Sequence, residues 1–371
     1  MDVWARVTGH EEGAVGALRG LLADLLRARV VDAVLVPRPA PGGSGVVPAL
    51  VSRPEDVADA EPLAPVMPVQ GARLVSALTA GGAPYRLGAV LRSCEIRASI
   101  ELAKLKQADL AGVTLIGVDC LGTYEVPDYA VLVAGGADPV AHALAGAPQG
   151  TVSPLPGAEL RPACAICEGF VPSGCQVTVA LIGVEGGALV MASEELVEEL
   201  GYERVAAPQH REETLASLQA ARRAERRRAL EEWRSRARDV PSLLAEFGRC
   251  IRCHNCMVAC PICYCKECLF RTATFDHAPA EYWQALQRRG ALRLPADTLL
   301  FHLTRLNHMA TSCVSCGACS SACPSHLPVS TLFAAVGEEV QALFGYVPGR
   351  SLEWELPLAT FREDELSQVT R

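Results

Sequence analysis

The chain is poor in lysine and asparagine, and only 5% of it is aromatic. Among 371 residues there are three lysines, Lys104, Lys106 and Lys266, and two asparagines, Asn255 and Asn307. Arginine carries the basic charge instead, a bias that GC-rich coding produces and that some heat-adapted proteins share. Positive charge is in deficit overall. With a net charge of −8, no global basic field invites nucleic acid or an anionic membrane surface. Long apolar runs are missing too. The stretch 177–192 is broken by Glu185 and by glycines, and it is too short to span a bilayer. The opening MDVWARVTGHEEG lacks a charged start followed by an apolar core, so no secretory signal is expected. These absences predict a soluble, cytoplasmic protein without direct membrane insertion. No complete G-x-G-x-x-G marks a dinucleotide fold.

What the chain has in excess is cysteine. Of its 16 cysteines, eleven lie between Cys250 and Cys323. A chain of this length without a secretory signal is a poor candidate for a disulfide framework, so metal binding is the better reading. Two runs carry it. The first is Cys250-x-x-Cys253-x-x-Cys256-x-x-x-Cys260-Pro261, and the second is Cys313-x-x-Cys316-x-x-Cys319-x-x-x-Cys323-Pro324. This is the bacterial-ferredoxin spacing for [4Fe–4S] clusters, in which the fourth cysteine of each run ligates the other cluster. One cluster is therefore assigned to Cys250, Cys253, Cys256 and Cys323. The other takes Cys313, Cys316, Cys319 and Cys260. Zinc is the competing metal, but tetrahedral zinc sites use paired CxxC motifs rather than this triple spacing. Such clusters make the chain an electron carrier. The runs are 52 residues apart, and helix-like sequence lies between them, which suggests an α-helical two-cluster ferredoxin domain. Cys263, Cys265 and Cys268 follow the first run at once. They read as small apolar neighbours of a cluster, with an extra or replacement ligand as the alternative.

Upstream, strand-like and helix-like segments alternate. Residues 14–29 are helix-like and 30–36 strand-like. Strands are expected at 87–92 and 113–118, with a helix at 95–108 between them. Alternation of this kind predicts a parallel α/β sheet. The 39–45 segment reads as a loop, and the Gly- and Pro-rich 148–162 segment as a connection. Residues 210–239 read as a long charged helix held by i,i+4 ion pairs, with a docking surface as the sharper alternative. Cys94 and Cys120 each fall just past an expected strand, where open parallel sheets bind ligands. With Cys164-x-x-Cys167 they would make the four ligands of a third cubane, although isolated buried cysteines are common. Cys175 has no assignment. His302 and His308, beside the second run, read as ordinary core or surface histidines, with tuning of a cluster as the alternative.

Several segments resemble one family. Arg92-Ser-Cys-Glu-Ile-Arg97, Glu101-Leu-Ala-Lys-Leu-Lys-Gln107 and Gly117-Val-Asp-Cys-Leu-Gly-Thr123 are similar to the β subunits of coenzyme F-420-reducing hydrogenases and formate dehydrogenases. Gly13-Ala-Val-Gly16 and Val31-Asp-Ala-Val-Leu-Val36 resemble the opening of that family. Cys260-Pro-Ile-Cys-Tyr-Cys-Lys-Glu-Cys268, His302-Leu-Thr-Arg-Leu-Asn-His-Met309 and Ser312-Cys-Val-Ser-Cys-Gly-Ala-Cys319 resemble the formate dehydrogenase branch.

The resemblance implies an α/β N-terminal flavin and iron–sulfur domain plus an all-α C-terminal α-helical ferredoxin domain. The boundaries expected are 1–205, a charged connecting helix at 206–248, the ferredoxin domain at 249–338 and a tail at 339–371. It also implies FAD beside a cluster held by Cys94, Cys120, Cys164 and Cys167, and so three clusters in all. A catalytic oxidoreductase partner is implied as well, formate dehydrogenase α-like or a hydrogenase, with NAD(P) or a deazaflavin as the two-electron carrier. The other reading is a flavin-free subunit resembling the cluster subunit of heterodisulfide reductases. No catalytic residue is assigned. Gly13 and Gly16, before a helix, are candidates for a flavin phosphate, or else plain turn residues. Lys104 is a third candidate, with an ion-pair row of Arg97, Glu101 and Lys104 as its alternative.

Overall fold

A computed structural model describes residues 1–11, 13–43 and 45–359. Eight strands form one sheet in the order β3-β2-β4-β5-β6-β7-β1-β8. They are β1 Asp2–Arg6, β2 Ala33–Pro39, β3 Val46–Val51, β4 Leu87–Arg92, β5 Val113–Val118, β6 Val177–Ala180, β7 Leu189–Ser193 and β8 Glu203–Arg204. In the centre, β2, β4, β5 and β6 run parallel, with Leu87 opposite Val113 and Ile116 opposite Val177. The flanking pairs are antiparallel. The expected parallel sheet is thus a mixed one. The loop between β2 and β3 is too short for a crossover, so it closes a hairpin and forces β3 antiparallel. β3 carries Pro48 in its middle, which is tolerated because β3 is an edge strand.

The central strands are mostly apolar because both faces are covered. Alternation divides their side chains between two cores. Val34, Val90, Ile116 and Val118 pack under Leu18, Leu21, Leu22 and Leu25 of the helix Gly13–Arg27. Leu35, Ala89, Leu91 and Leu115 face the other way, onto Val75 of the helix Gly71–Thr79 and onto Ile96 and Ile100 of the helix Ser93–Lys104.

The C-terminal part is helical, with Thr298–Met309 and Val329–Leu343 as its principal helices. Its core includes Phe247, Phe301, Leu332 and Phe333, and it also takes in Ala72, Ala98 and Leu102 from the sheet-covering helices. The connecting helix Arg211–Arg236 buries only Arg211, Leu230 and Trp233, and the last two enter the C-terminal core. Among the described residues, no single helix is long and apolar enough to cross a membrane.

Beyond Leu343 the chain returns to the helix Ser93–Lys104. Glu101, fully buried, accepts hydrogen bonds from the Tyr346 hydroxyl and from Gly349 N–H at 2.7 Å. Burial, together with the Glu101 carboxylate, pushes the Tyr346 hydroxyl pKa up. Gly349 has φ +69°, and a Cβ there would stand 2.1 Å from the Arg97 carbonyl oxygen. Gly349→Ala is therefore expected to cost about 1–3 kcal/mol and to loosen this return, read as faster amide exchange at residues 346–350. Unchanged exchange there would refute this role. The acidic stretch 361–368 lies outside the described residues.

Candidate iron–sulfur sites

The two cysteine runs adopt the same backbone. Arg252 and His254 in the first, and Ser315 and Gly317 in the second, take positive φ at matching positions, 56°, 62°, 57° and 75°. Left-handed residues after the first and second cysteines tighten the turn so that three thiols face one side. In the first run Arg252 N–H also points at the Cys250 sulfur, 3.4 Å away. Cys250, Cys253, Cys256 and Cys323 line one cavity, together with Phe301 and His302. Cys260 lies in the electrostatic field of Cys313, Cys316 and Cys319. The crossed grouping expected from the spacing is therefore the one in which these side chains are gathered.

Cys94 and Cys120 follow the adjacent parallel strands β4 and β5. Cys94 enters the first turn of the helix Ser93–Lys104, whose start is fixed by Glu95. That buried carboxylate accepts Arg92 N–H at 2.9 Å and Gly71 N–H at 2.8 Å. Cys164 lies in the short helix Pro162–Ala165, which follows the 148–162 connection, and Cys167 comes just after that helix. All four line one cavity, and Cys316 of the C-terminal sets lines it as well. Thr123 Oγ1 lies 3.2 Å from the Cys164 sulfur.

The chemistry of these sets suits iron. Burial pushes the thiols of Cys120 and Cys316 up to about 12, and those of Cys313 and Cys256 up to about 11. Burial pushes the Cys94 and Cys319 thiols well up too. Crowded, desolvated thiols repel one another's charges, and metal coordination removes that conflict by holding them as thiolates. Among the described residues, no three His, Cys, Asp or Glu side chains are set as a single ion would require. Two of the sets line cavities instead.

Arginines fill the spaces between the sets. Arg161, 3% exposed, donates to the Cys316 carbonyl at 3.1 Å and to Ser321 Oγ at 2.9 Å. Arg305, also 3% exposed, donates to the Cys256 sulfur at 3.2 Å. His302 lies 3.4 Å from the Cys250 sulfur, and burial lowers its pKa to about 4.

The remaining cysteines divide. Cys175 packs in the second sheet core, 3.4 Å from Thr178 Oγ1. Cys263 is beside Cys260 and Arg305, Cys268 packs against the helical core, and Cys265 is exposed.

Next to the N-terminal set opens a cavity of about 990 Å³, lined by Cys167, Ser93 and Ser315 and by Arg97, Arg222, Arg223, Arg226 and Arg350. The sequence reads the arginines of the connecting helix as partners in i,i+4 ion pairs, with a docking surface as the alternative. In the structure Arg222 donates to the carbonyls of Cys164 and Ala165, and Arg223 and Arg226 pair with Glu168. Arg226 also reaches Glu338 at 2.9 Å. The helix thus joins the N-terminal cysteine loop to the helical part. Gly13, Gly16 and Lys104 do not line this cavity. Gly16 is packed against the backbone of Glu11. Lys104 is buried against Glu101 and Tyr346 instead of forming a surface row, and Arg97 Nε donates to the Pro348 carbonyl at 2.9 Å.

An α/β sheet with cysteines at its strand ends, joined to a helical part with two cluster-spaced runs, defines an iron–sulfur protein of the electron-transferring class. Residues 246–327 match the 4Fe-4S dicluster domain family. Over 366 residues the chain is 25% identical to the F420-dependent formate dehydrogenase subunit beta of Methanocaldococcus jannaschii, covering 90% of this chain and 91% of that one. It is 24% identical to the F420-dependent formate dehydrogenase 1 subunit beta of Methanococcus maripaludis, covering 90% of each. The chain is thus similar to these β subunits over nearly its whole length. A chain of the F420-reducing [NiFe] hydrogenase complex from Methanosarcina barkeri overlays with a TM-score of 0.47 at 14% identity, covering 65% of this chain and 94% of that chain.

Proposed function

We propose that this chain is the electron-relay subunit of a formate dehydrogenase-like or hydrogenase-like complex, with three [4Fe–4S] clusters and one FAD. The clusters would be held by Cys250, Cys253, Cys256 and Cys323, by Cys260, Cys313, Cys316 and Cys319, and by Cys94, Cys120, Cys164 and Cys167. Bound clusters supply one-electron transfer, and a flavin supplies the exchange between one- and two-electron chemistry that a deazaflavin or NAD(P) requires. The observation that carries the reading is adjacency. Arg305 donates to Cys256 of one C-terminal set and lies in the field of Cys260 and Cys319 of the other, Cys316 lines the cavity of the N-terminal set, and Cys167 lines the large cavity beyond it.

The flavin assignment is supported by what surrounds that cavity. Its volume is that of a cofactor pocket. Ser93 opens a 12-residue helix at its wall, and Ser93 Oγ is buried with no hydrogen-bond partner among the described residues. Helix N-terminal N–H groups and arginines suit a diphosphate. A partner subunit would oxidise the substrate, for which formate is the leading choice, and the cytoplasm is the expected compartment.

Anaerobic purification with reconstitution, followed by iron and flavin analysis, tests this. About twelve irons and one FAD per chain are expected. Twelve irons without flavin would favour the flavin-free reading, and no more than about eight irons would refute the three-cluster relay.

A further inference from the structure

Arg305 lies on the helix Thr298–Met309, and among the described residues no carboxylate pairs with its charge. Arg252 pairs with Asp297 at 2.8 Å and Arg161 lies 3.8 Å from Glu125. Arg305 instead donates to the Cys256 sulfur at 3.2 Å and to the Cys256 carbonyl at 3.1 Å, and it reaches Cys263 as well. Its faces are covered by the rings of Phe301 and Phe333 at 5.5 and 5.2 Å, and its Nε is buried without a hydrogen-bond partner among the described residues. The charges that act on it most strongly are those of Cys256, Cys260, Cys263 and Cys319. Cys256 belongs to one gathered set and Cys260 and Cys319 to the other. A buried, unpaired guanidinium is costly, and it cannot shed its proton.

We propose that Arg305 is the shared counter-ion of the two C-terminal clusters and sets the reduction potentials of both; this rests on the ligand sets given above. A thiolate-ligated cluster is anionic and gains one further negative charge on reduction. A fixed positive charge in a poorly polarisable interior stabilises the reduced state more than the oxidised one, and so raises the potential. Because the guanidinium stays charged, the effect holds at every pH at which the protein folds. Arg305 is thus a positioning residue of the relay.

The test uses the full chain, reconstituted anaerobically, with iron analysis and an electron-spin-resonance redox titration of the parent protein, Arg305→Gln and Arg305→Lys. Arg305→Gln is expected to keep its iron and to shift both C-terminal midpoint potentials to more negative values. The N-terminal cluster is expected not to move. Arg305→Lys, which keeps the charge but not the fork, is expected to stay closer to the parent. Three results would overturn the proposal: unmoved potentials in Arg305→Gln, a shift confined to one cluster, or an equal shift in Arg305→Lys. If the Gln variant loses iron, the Lys variant decides. Retained clusters with near-parent potentials support a charge role, and loss in both variants leaves only a structural one. A parent protein without iron in its C-terminal half would defeat the functional reading itself, not this inference alone.

Discussion

Replacing Cys323 with alanine is expected to remove about a third of the bound iron, as is replacing Cys250, and the double variant should lose no more than either single one. Cys260→Ala and Cys313→Ala should form a second such pair. The reason is that three thiols of the first run line one cavity, and Cys323, the last cysteine of the second run, joins them there. Cys323 is four residues from Cys319, yet the thiols acting on Cys256 include those of Cys323, Cys250 and Cys253. Crossed ligation would also staple residues 250–256 to a segment some 70 positions away. Losing Cys323 should therefore lower stability by about 2–5 kcal/mol, on the scale of a lost covalent cross-link closing a comparable loop. Iron assay and thermal melts of the six proteins check this. If Cys250→Ala and Cys323→Ala removed iron additively, they would belong to different clusters and the crossed assignment would fail.

The C-terminal sites were legible because their information is local. Three thiols at i, i+3 and i+6 must turn around one object, and the Cys-Pro endings mark where the fourth ligand departs. β4 and β5 were legible at their observed ends, 87–92 and 113–118, because buried parallel strands are short apolar blocks bounded by polar residues. β1, β3, β6, β7 and β8 were missed. β1, β3 and β8 lie at or near the sheet edges and β3 contains a proline, so tertiary pairing rather than sequence pattern creates them, while β6 and β7 begin within the one glycine-broken apolar stretch 177–192. The mixed character of the sheet follows from those same strands.

The large cavity was not legible for a different reason. Its walls are assembled from residues far apart in sequence, such as Arg97, Arg226 and Arg350. Local reading placed the first in a helix-surface row and the second on a solvated helix. Lys104 looked available because i,i+3 and i,i+4 spacing cannot report what covers a helix. Only the return of Tyr346 and Gly349 shows that this face is closed. The dense arginine of 211–236 carried a hint: a helix that buries only three residues needs polar partners on more than one side, and here it finds them on both parts of the chain.

The largest effect on folding away from the cysteines is expected at Arg211. This residue opens the connecting helix and is 6% exposed, and its guanidinium meets Asp119 in a fork at 2.6 and 3.0 Å. Asp119, 3% exposed, also accepts N–H groups from Leu181 and Ile182 at 2.9 and 3.0 Å, so the end of β5, the end of β6 and the connecting helix meet at one carboxylate. Gly183 keeps the approach open, since a Cβ there would stand 2.7 Å from Arg211 Cα. Arg211→Met leaves the carboxylate buried with two backbone donors but no countercharge, at an expected cost of about 3–5 kcal/mol. Asp119→Asn alone should also be destabilising, and the double variant should cost less than the sum of the two. The exposed pair Arg228 and Glu225 is the internal control, since removing it should change stability by less than about 1 kcal/mol. Because Asp119 immediately precedes Cys120, the Arg211 variant should also release iron from the N-terminal set before the C-terminal sets when denaturant is raised. Denaturant melts followed by iron absorbance and by fluorescence separate the two transitions. A cost at Arg211 no greater than at Arg228 would show that the buried fork does not hold the sheet and the connecting helix together.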